Sequence, residues 1–225
     1  NPLPVGGVVT NSSASAVTLT SLNTGSAVFG GQLNGNLGFD KTGNTVLTMT
    51  NSNAYTGDTF IRGNTMALRD EGVLSGTSSI HAMFSTLDWD NTGLNPLGSD
   101  DPVRVNPNTP LYLRGGSVVV RGGGSFDTTA TFNNLLLERG NSIINLLPSV
   151  NAGSAVQVTI GNLQRSVNDH GVVNFTTNVG LGGSGNNNNA RVLVSTINGA
   201  GFSLANNLIG GWAVVNGDSF ATYLN

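Results

Sequence analysis

Short runs in which apolar and polar residues alternate, separated by clusters of Gly and Asn, leave this chain little choice of fold. Leu47 and Met49 alternate with Thr48 and Thr50, and Val103 and Val105 flank Arg104. Val156, Val158 and Ile160 alternate with Gln157 and Thr159, and Val173 and Phe175 flank Asn174. A period of two places one set of side chains on each face of a strand. Between the runs lie Asn34-Gly35, Thr42-Gly43-Asn44, Arg62-Gly63-Asn64, Gly115-Gly116, Gly122-Gly123-Gly124, Asn198-Gly199 and Asn216-Gly217. Gly and Asn tolerate the positive φ that tight reversals require. The nearest approach to a helical period, Phe132 to Leu137, is short and sits between turn residues. The chain is expected to be all-β.

Two architectures satisfy this pattern: a sandwich or barrel of antiparallel strands, or a β-solenoid. Three features favour the solenoid, as one domain spanning residues 1–225. Strands and Gly/Asn turns recur along most of the chain without a long interruption. Charged residues make up 9% of the chain, against roughly 25% in an ordinary domain, which is low for a conventional exposed sheet face. Asn and Thr recur at turn positions, where stacked coils would align them in ladders. Coils of roughly 20–25 residues predict about ten coils, and a stack about 50 Å long at about 4.8 Å per coil.

The same composition narrows the partners. The hydrophobic fraction is 38% and the net charge −3, unlike disordered chains, which join low hydrophobicity to high net charge. The nine Lys and Arg are spread from Lys41 to Arg191, with no cluster to track a phosphate backbone, so nucleic acid is not an expected partner. No apolar run reaches the 18–20 residues of a spanning helix, and residues 1–4 lack the features of a signal peptide. The absence of cysteine removes disulfides, thiolate metal sites and cysteine nucleophiles, and it fits an exported chain whose core is large enough to do without disulfides.

The segment from Gly38 to Leu68 reads GFDKTGNTVLTMTNSNAYTGDTFIRGNTMAL. It resembles the autotransporter-associated β-strand repeat of bacterial passenger domains. In that pattern Lys-x-Gly precedes an alternating strand, Asn-x-Tyr-Thr-Gly follows, and a second strand closes on Gly and Leu. Lys41, Gly43, Leu47, Met49, Asn53, Tyr55, Thr56, Gly57, Thr59, Ile61, Gly63 and Leu68 occupy those places, with Asp58 where a second Gly is usual and Met49 in place of Leu. Looser likenesses run through Asp101–Asn106, Leu111–Gly116 and Ile209–Tyr223. The resemblance implies a right-handed parallel β-helix, secretion, and a place at or beyond the cell surface. It implies no active site and no cofactor.

Candidate chemistry is sparse. Asp88, Asp90, Asp100 and Asp101 concentrate acid, and Asp88-Trp89-Asp90-Asn91-Thr92-Gly93 echoes the start of a calcium loop, although Ser99 stands at its twelfth position. Asp88 and Asp90 are its candidate ligands, in a loop from Thr86 to Asp101. The same four acids are the place where glycosidic chemistry would sit, if paired at the right separation. Gly180-Leu181-Gly182-Gly183-Ser184-Gly185 has a dinucleotide-loop spacing, but Asn186–Asn189 follow it where a helix is needed. Ser79 lies near His81 and Asp169 beside His170, without a nucleophile-elbow sequence. Trp89, Trp212, Tyr55, Tyr112 and Tyr223 are the aromatic residues available to stack on sugar.

These readings converge on an extracellular structural protein rather than an enzyme, with an adhesive, glycan-binding module as the alternative. Solenoid ends carry unpaired backbone edges. The uncharged run from Val5 to Leu22 and the block from Trp212 to Leu224 are the candidate ends for joining copies head to tail. Within them Val5, Val8, Val17, Leu19, Trp212, Val214, Phe220 and Tyr223 are the expected contact residues.

Overall fold

A computed structural model describes residues 6–93, 102–124, 126–149, 154–166, 168, 170–182, 189–201 and 208–222. The first coil comprises β1 (Val8–Asn11), β2 (Val17–Ser21) and β3 (Ala27–Phe29); the second comprises β4 (Gln32–Gly35), β5 (Leu37–Lys41) and β6 (Leu47–Met49). The third is β7 (Ser52–Tyr55), β8 (Thr59–Ile61) and β9 (Thr65–Arg69), and the fourth β10 (Val73–Leu74), β11 (Ile80–Met83) and β12 (Thr86–Asp90). From there each coil has two strands. These are β13 (Leu111–Arg114) with β14 (Ser117–Arg121), and β15 (Thr128–Leu137) with β16 (Asn141–Leu147). Then come β17 (Val156–Arg165) with β18 (Val172–Thr177), and β19 (Ala190–Ile197) with β20 (Ala213–Val215), before a last strand, β21 (Ser219–Phe220).

Every strand except β21 pairs in parallel with its counterpart one coil away, in three sheets. The first sheet runs β1-β4-β7-β10, the second from β2 to β19 and the third from β3 to β21. This is the strand topology of a parallel β-helix. No helix occurs among the described residues, and Phe132–Leu137 completes strand β15.

The described strands form eight coils rather than the ten expected, because the coils lengthen. Val17 pairs with Leu37, twenty positions on, whereas Val173 pairs with Ala213, forty positions on. The added residues lie in the connections. Eight coils at about 4.8 Å give a stack of about 38 Å.

Inward residues form continuous columns. In the second sheet Phe39, Thr59, Ile80, Leu111, Leu135, Leu163 and Ile197 follow one another in register. In the third, Leu47, Met66, Leu87, Val118, Ile144 and Phe175 do the same. All but Ile197 are buried, and each large apolar side chain so buried contributes about 1.5–3 kcal/mol. Corners between these sheets pass through one residue of positive φ: Asn64, Phe84, Gly115 and Gly140.

The Gly38–Leu68 segment shows what such residues do physically. Lys41 points inward, is fully buried, and donates to the carbonyls of Gly43, Thr45 and Gly63 on two stacked coils; burial lowers its pKa. Asn53 accepts from Leu33 N at 3.0 Å and donates to Asn51 O at 2.6 Å. Tyr55 is buried against Phe39, and its hydroxyl pairs with Thr59 Oγ1 at 2.6 Å, which meets Thr77 Oγ1 at 2.8 Å. Burial raises the Tyr55 pKa, so the phenol stays protonated.

The first sheet ends at β10, extended only by a Leu74–Val105 bridge. Here the alternation holds only in part: Val105 is buried as expected, but Val103 is exposed and Arg104 is buried. Arg104 donates from Nε to Asn91 Oδ1 at 2.5 Å and from a terminal nitrogen to the carbonyls of Asp70 and Gly72 at 3.1 and 3.0 Å. Those carbonyls need a donor where the ladder stops, and a guanidinium supplies several in a fixed fork.

Candidate functional site

The N-terminal coil departs from the rest in burial. In β1, Val9 stands in register with Leu33, and in β2, Val17 with Leu37 and Leu19 with Phe39. Leu33 and Leu37 are 1% and 4% exposed, while Val9 and Val17 are 41% and 50% exposed. Leu19, Ala27 and Phe29 pack only partly against the core. The interior column thus runs out to solvent. Among the described residues β1, β2 and β3 have no strand on their outer side, so three backbone edges and an apolar end face coincide. Val8 and Val28 add exposed apolar surface on the outer faces. Val5 lies outside the described residues.

The C-terminal end is built differently. β20 pairs with β18 in parallel and with β21 in antiparallel register, Val214 opposite Phe220 and Val215 opposite Ser219. Asn216 and Gly217, both at positive φ, turn the chain between them. Within the block expected to offer an edge, the hairpin makes the two-residue β21 the terminal strand of the third sheet. Trp212 is half-buried, with the Arg165 guanidinium 5.7 Å from its ring. Phe220 is exposed on the hairpin, and Tyr223 lies outside the described residues. β19 remains the terminal strand of the second sheet. A cavity of about 330 Å³, lined by Phe175, Leu181, Val194, Ile209, Val215 and Phe220, lies between it and the hairpin.

Asp88 and Asp90 sit in strand β12, not in a loop. Arg121 Nε donates to both oxygens of Asp88 at 3.0 Å. Asp90 accepts from Thr92 N and Oγ1 at 2.9 and 2.6 Å and lies 3.8 Å from Arg69. Burial, opposed by Arg121, raises the Asp88 pKa. Protein donors thus hold both Asp88 oxygens and Asp90 Oδ1. Asp100 and Asp101 lie outside the described residues, and no group of three His, Asp or Glu able to hold a metal occurs among the described residues. In the segment 180–182, Leu181 forms a bridge with Ala190. Residues 183–188 and Asp169 are outside the described set.

The structure does bring Ser79 and His81 together, with Asp58. Ser79 Oγ lies 2.5 Å from Asp58 Oδ1 and 2.9 Å from His81 Nε2. Ser78 and Ser79 donate to Asp58 and hold its pKa low, so the Ser79 proton points at the carboxylate and His81 Nε2 donates to Ser79. A nucleophilic serine needs the reverse, with its proton directed at an imidazole lone pair. The His81 ring is stacked between Phe60 at 4.8 Å and Tyr112 at 4.4 Å, with the Arg62 guanidinium 4.8 Å from the Phe60 ring, and burial lowers its pKa. This stack was not visible in the sequence, because Phe60, His81 and Tyr112 are spaced unequally. Tyr55 and Trp89 are core residues, leaving Tyr112 as the candidate sugar-stacking residue on the outer face of the second sheet.

No helix among the described residues is long and apolar enough to cross a membrane. Comparison with protein-family models, with curated proteins and with solved structures yields no match.

Proposed function

We propose that this chain is extracellular structural material: a stackable β-helical element, not an enzyme, whose N-terminal face takes a further coil. That coil comes from a second copy joined head to tail or from neighbouring repeats of a longer polypeptide. The single observation that carries this reading is the jump in exposure between Leu33 and Val9 and between Leu37 and Val17, residues sharing columns of the core. Leaving apolar side chains and three strand edges in water is costly and invites pairing. The low charge of the chain, its lack of cysteine and the likeness of Gly38–Leu68 to autotransporter-associated repeats support placement outside the cell. The internal pairing of Asp88, Asp90 and Ser79 supports a structural use of those groups.

Sedimentation velocity over a hundredfold range of concentration, with electron microscopy of the same samples, tests the self-joining form of this reading. End-to-end species are expected for the native chain, and none for a Val17→Lys, Leu19→Glu variant with an unchanged β-sheet circular dichroism spectrum. A native chain that stays monomeric throughout would remove self-assembly.

A further inference from the structure

Beyond the end faces, the molecule carries a groove on the outer side of the second sheet, spanning coils five to eight. Its volume is about 240 Å³, and Tyr112, Leu136, Glu138, Gln164, Arg165 and Asn198 line it. Tyr112, Leu136 and Gln164 are consecutive members of one outward column, on β13, β15 and β17, so their spacing is fixed by the sheet and not by loop conformation. We propose that this groove binds a neutral saccharide unit, with Tyr112 and Leu136 against the sugar's C–H face and Gln164 and Asn198 on its hydroxyls.

Charge decides against an ionic ligand. Glu138 accepts from Arg114 Nε at 2.9 Å, and Arg165 donates to Gly171 O at 2.7 Å while lying over Trp212. The Glu138 charge is met by Arg114, and the Arg165 guanidinium is directed to Gly171 O and the Trp212 ring. The uncharged amides are only half used: Gln164 donates from Nε2 to Asn134 Oδ1 at 3.3 Å, and Asn198 accepts at Oδ1 from Arg165 N at 2.8 Å. Among the described residues nothing bonds the Gln164 carbonyl oxygen, the Asn198 side-chain nitrogen or the Tyr112 hydroxyl. A mixed set of donors and acceptors beside an apolar floor matches a sugar, whose ring has a hydroxyl rim and C–H faces.

Tyr112 is held for this task. Its ring stacks on His81 at an interplanar angle of 7°, and His81 is in turn backed by Phe60 and Ser79. The groove is smaller than the roughly 300–1,000 Å³ of sites for drug-sized ligands. It suits one sugar ring lying partly in solvent, with millimolar affinity.

Saturation-transfer NMR on the whole chain tests this, using millimolar cellobiose, maltose, lactose, mannobiose, N,N′-diacetylchitobiose and glucuronate as probes. Transfer to at least one neutral disaccharide is expected. It should fall at least tenfold in Tyr112→Ala and in Gln164→Ala, the latter lying outside the aromatic stack. Leu22→Ala, an exposed apolar residue of the first coil, should leave it unchanged, and thermal melts should show all three variants folded. Absence of transfer to every neutral probe, transfer to glucuronate alone, or transfer that survives both groove variants would overturn the proposal. None of these outcomes depends on how the ends of the molecule are completed.

Discussion

The first four coils and the last four solve the same problem by different means. Coils one to four have three short strands each, none longer than five residues; the first three turn in about twenty positions, whereas the fourth takes thirty-one, from Ile80 to Leu111. Their strands are too short to hold the chain alone, so the corners do it. The Lys41 ammonium, the Asn53 amide and the Tyr55–Thr59–Thr77 hydroxyls bridge coil to coil. Glycines let backbones touch: a Cβ on Gly63 would lie 2.3 Å from Thr42 O, and one on Gly72 2.0 Å from Met49 O. Coils five to eight abandon the first sheet and use strands of up to ten residues, such as β15 and β17. Nine register pairs hold those two strands together, so their connections are released from structural duty and grow. Ladder length can substitute for corner chemistry, although the short-strand fourth coil also takes an insertion, between Asp90 and Leu111.

Arg104, at the junction between the two regimes, carries the largest expected effect. Arg104→Met removes donors from two backbone carbonyls and from Asn91 in a buried setting. A loss of about 3–5 kcal/mol is expected, read as a lowered urea midpoint. A loss below about 1 kcal/mol would mean that the two halves need no such join.

Corner glycines should separate the regimes next. Gly63→Ala forces backbone apart in the short-strand half and is expected to cost about 2–3 kcal/mol. At Gly180, in the long-strand half, a Cβ meets nothing within 4 Å, and Gly180→Ala should fall within about 0.5 kcal/mol of the native chain. Equal losses at the two sites would break the contrast. The interior columns should also grade toward the end. Val158→Ala, fully buried in β17, should cost about 2 kcal/mol, whereas Val17→Ala in dilute solution should cost less than about 0.5 kcal/mol.

The smallest effect is a pH dependence confined to the short-strand half. Ser78 and Ser79 lower the folded pKa of Asp58. The native state therefore binds fewer protons there than the unfolded chain, and the contribution is present above the unfolded carboxylate pKa of about 3.9. It is lost as pH falls through the folded value. Thermal melts of Asp58→Asn should show a flatter acid limb than the native chain, and superimposable limbs would contradict this role.

How much of this was legible before the fold was known follows from the range of the interactions involved. The run Val156-Val158-Ile160 pointed inward as its alternation requires, and Asn198-Gly199 formed the positive-φ turn its composition calls for. Both are decided within a few residues. Val103-Arg104-Val105 was legible only in part: Val105 is buried as expected, but Arg104 is held inside by carbonyls on Asp70 and Gly72, more than thirty positions upstream. The acids at Asp88 and Asp90 suggested a cation because Arg121, on the next coil, gave no local sign of pairing with them. Coil number was misjudged because coil length is not constant, and the same drift hid the Phe60–His81–Tyr112 stack. At the C-terminal block, strand character was readable. That Val214 would face Phe220 of its own chain depended on a turn after Val215 whose partner strand has two residues.

Residue-resolved hydrogen exchange at low and high protein concentration tests most directly the claim that the N-terminal face takes a further coil of the same chain. Amides of β1, β2 and β3 should exchange quickly in dilute protein and gain at least tenfold protection when concentrated. Those of β19, the terminal strand of the second sheet at the other end, should gain protection in step, because head-to-tail joining uses both ends. Protection in β1–β3 that is high when dilute, or that stays low and constant at every concentration, would contradict the account.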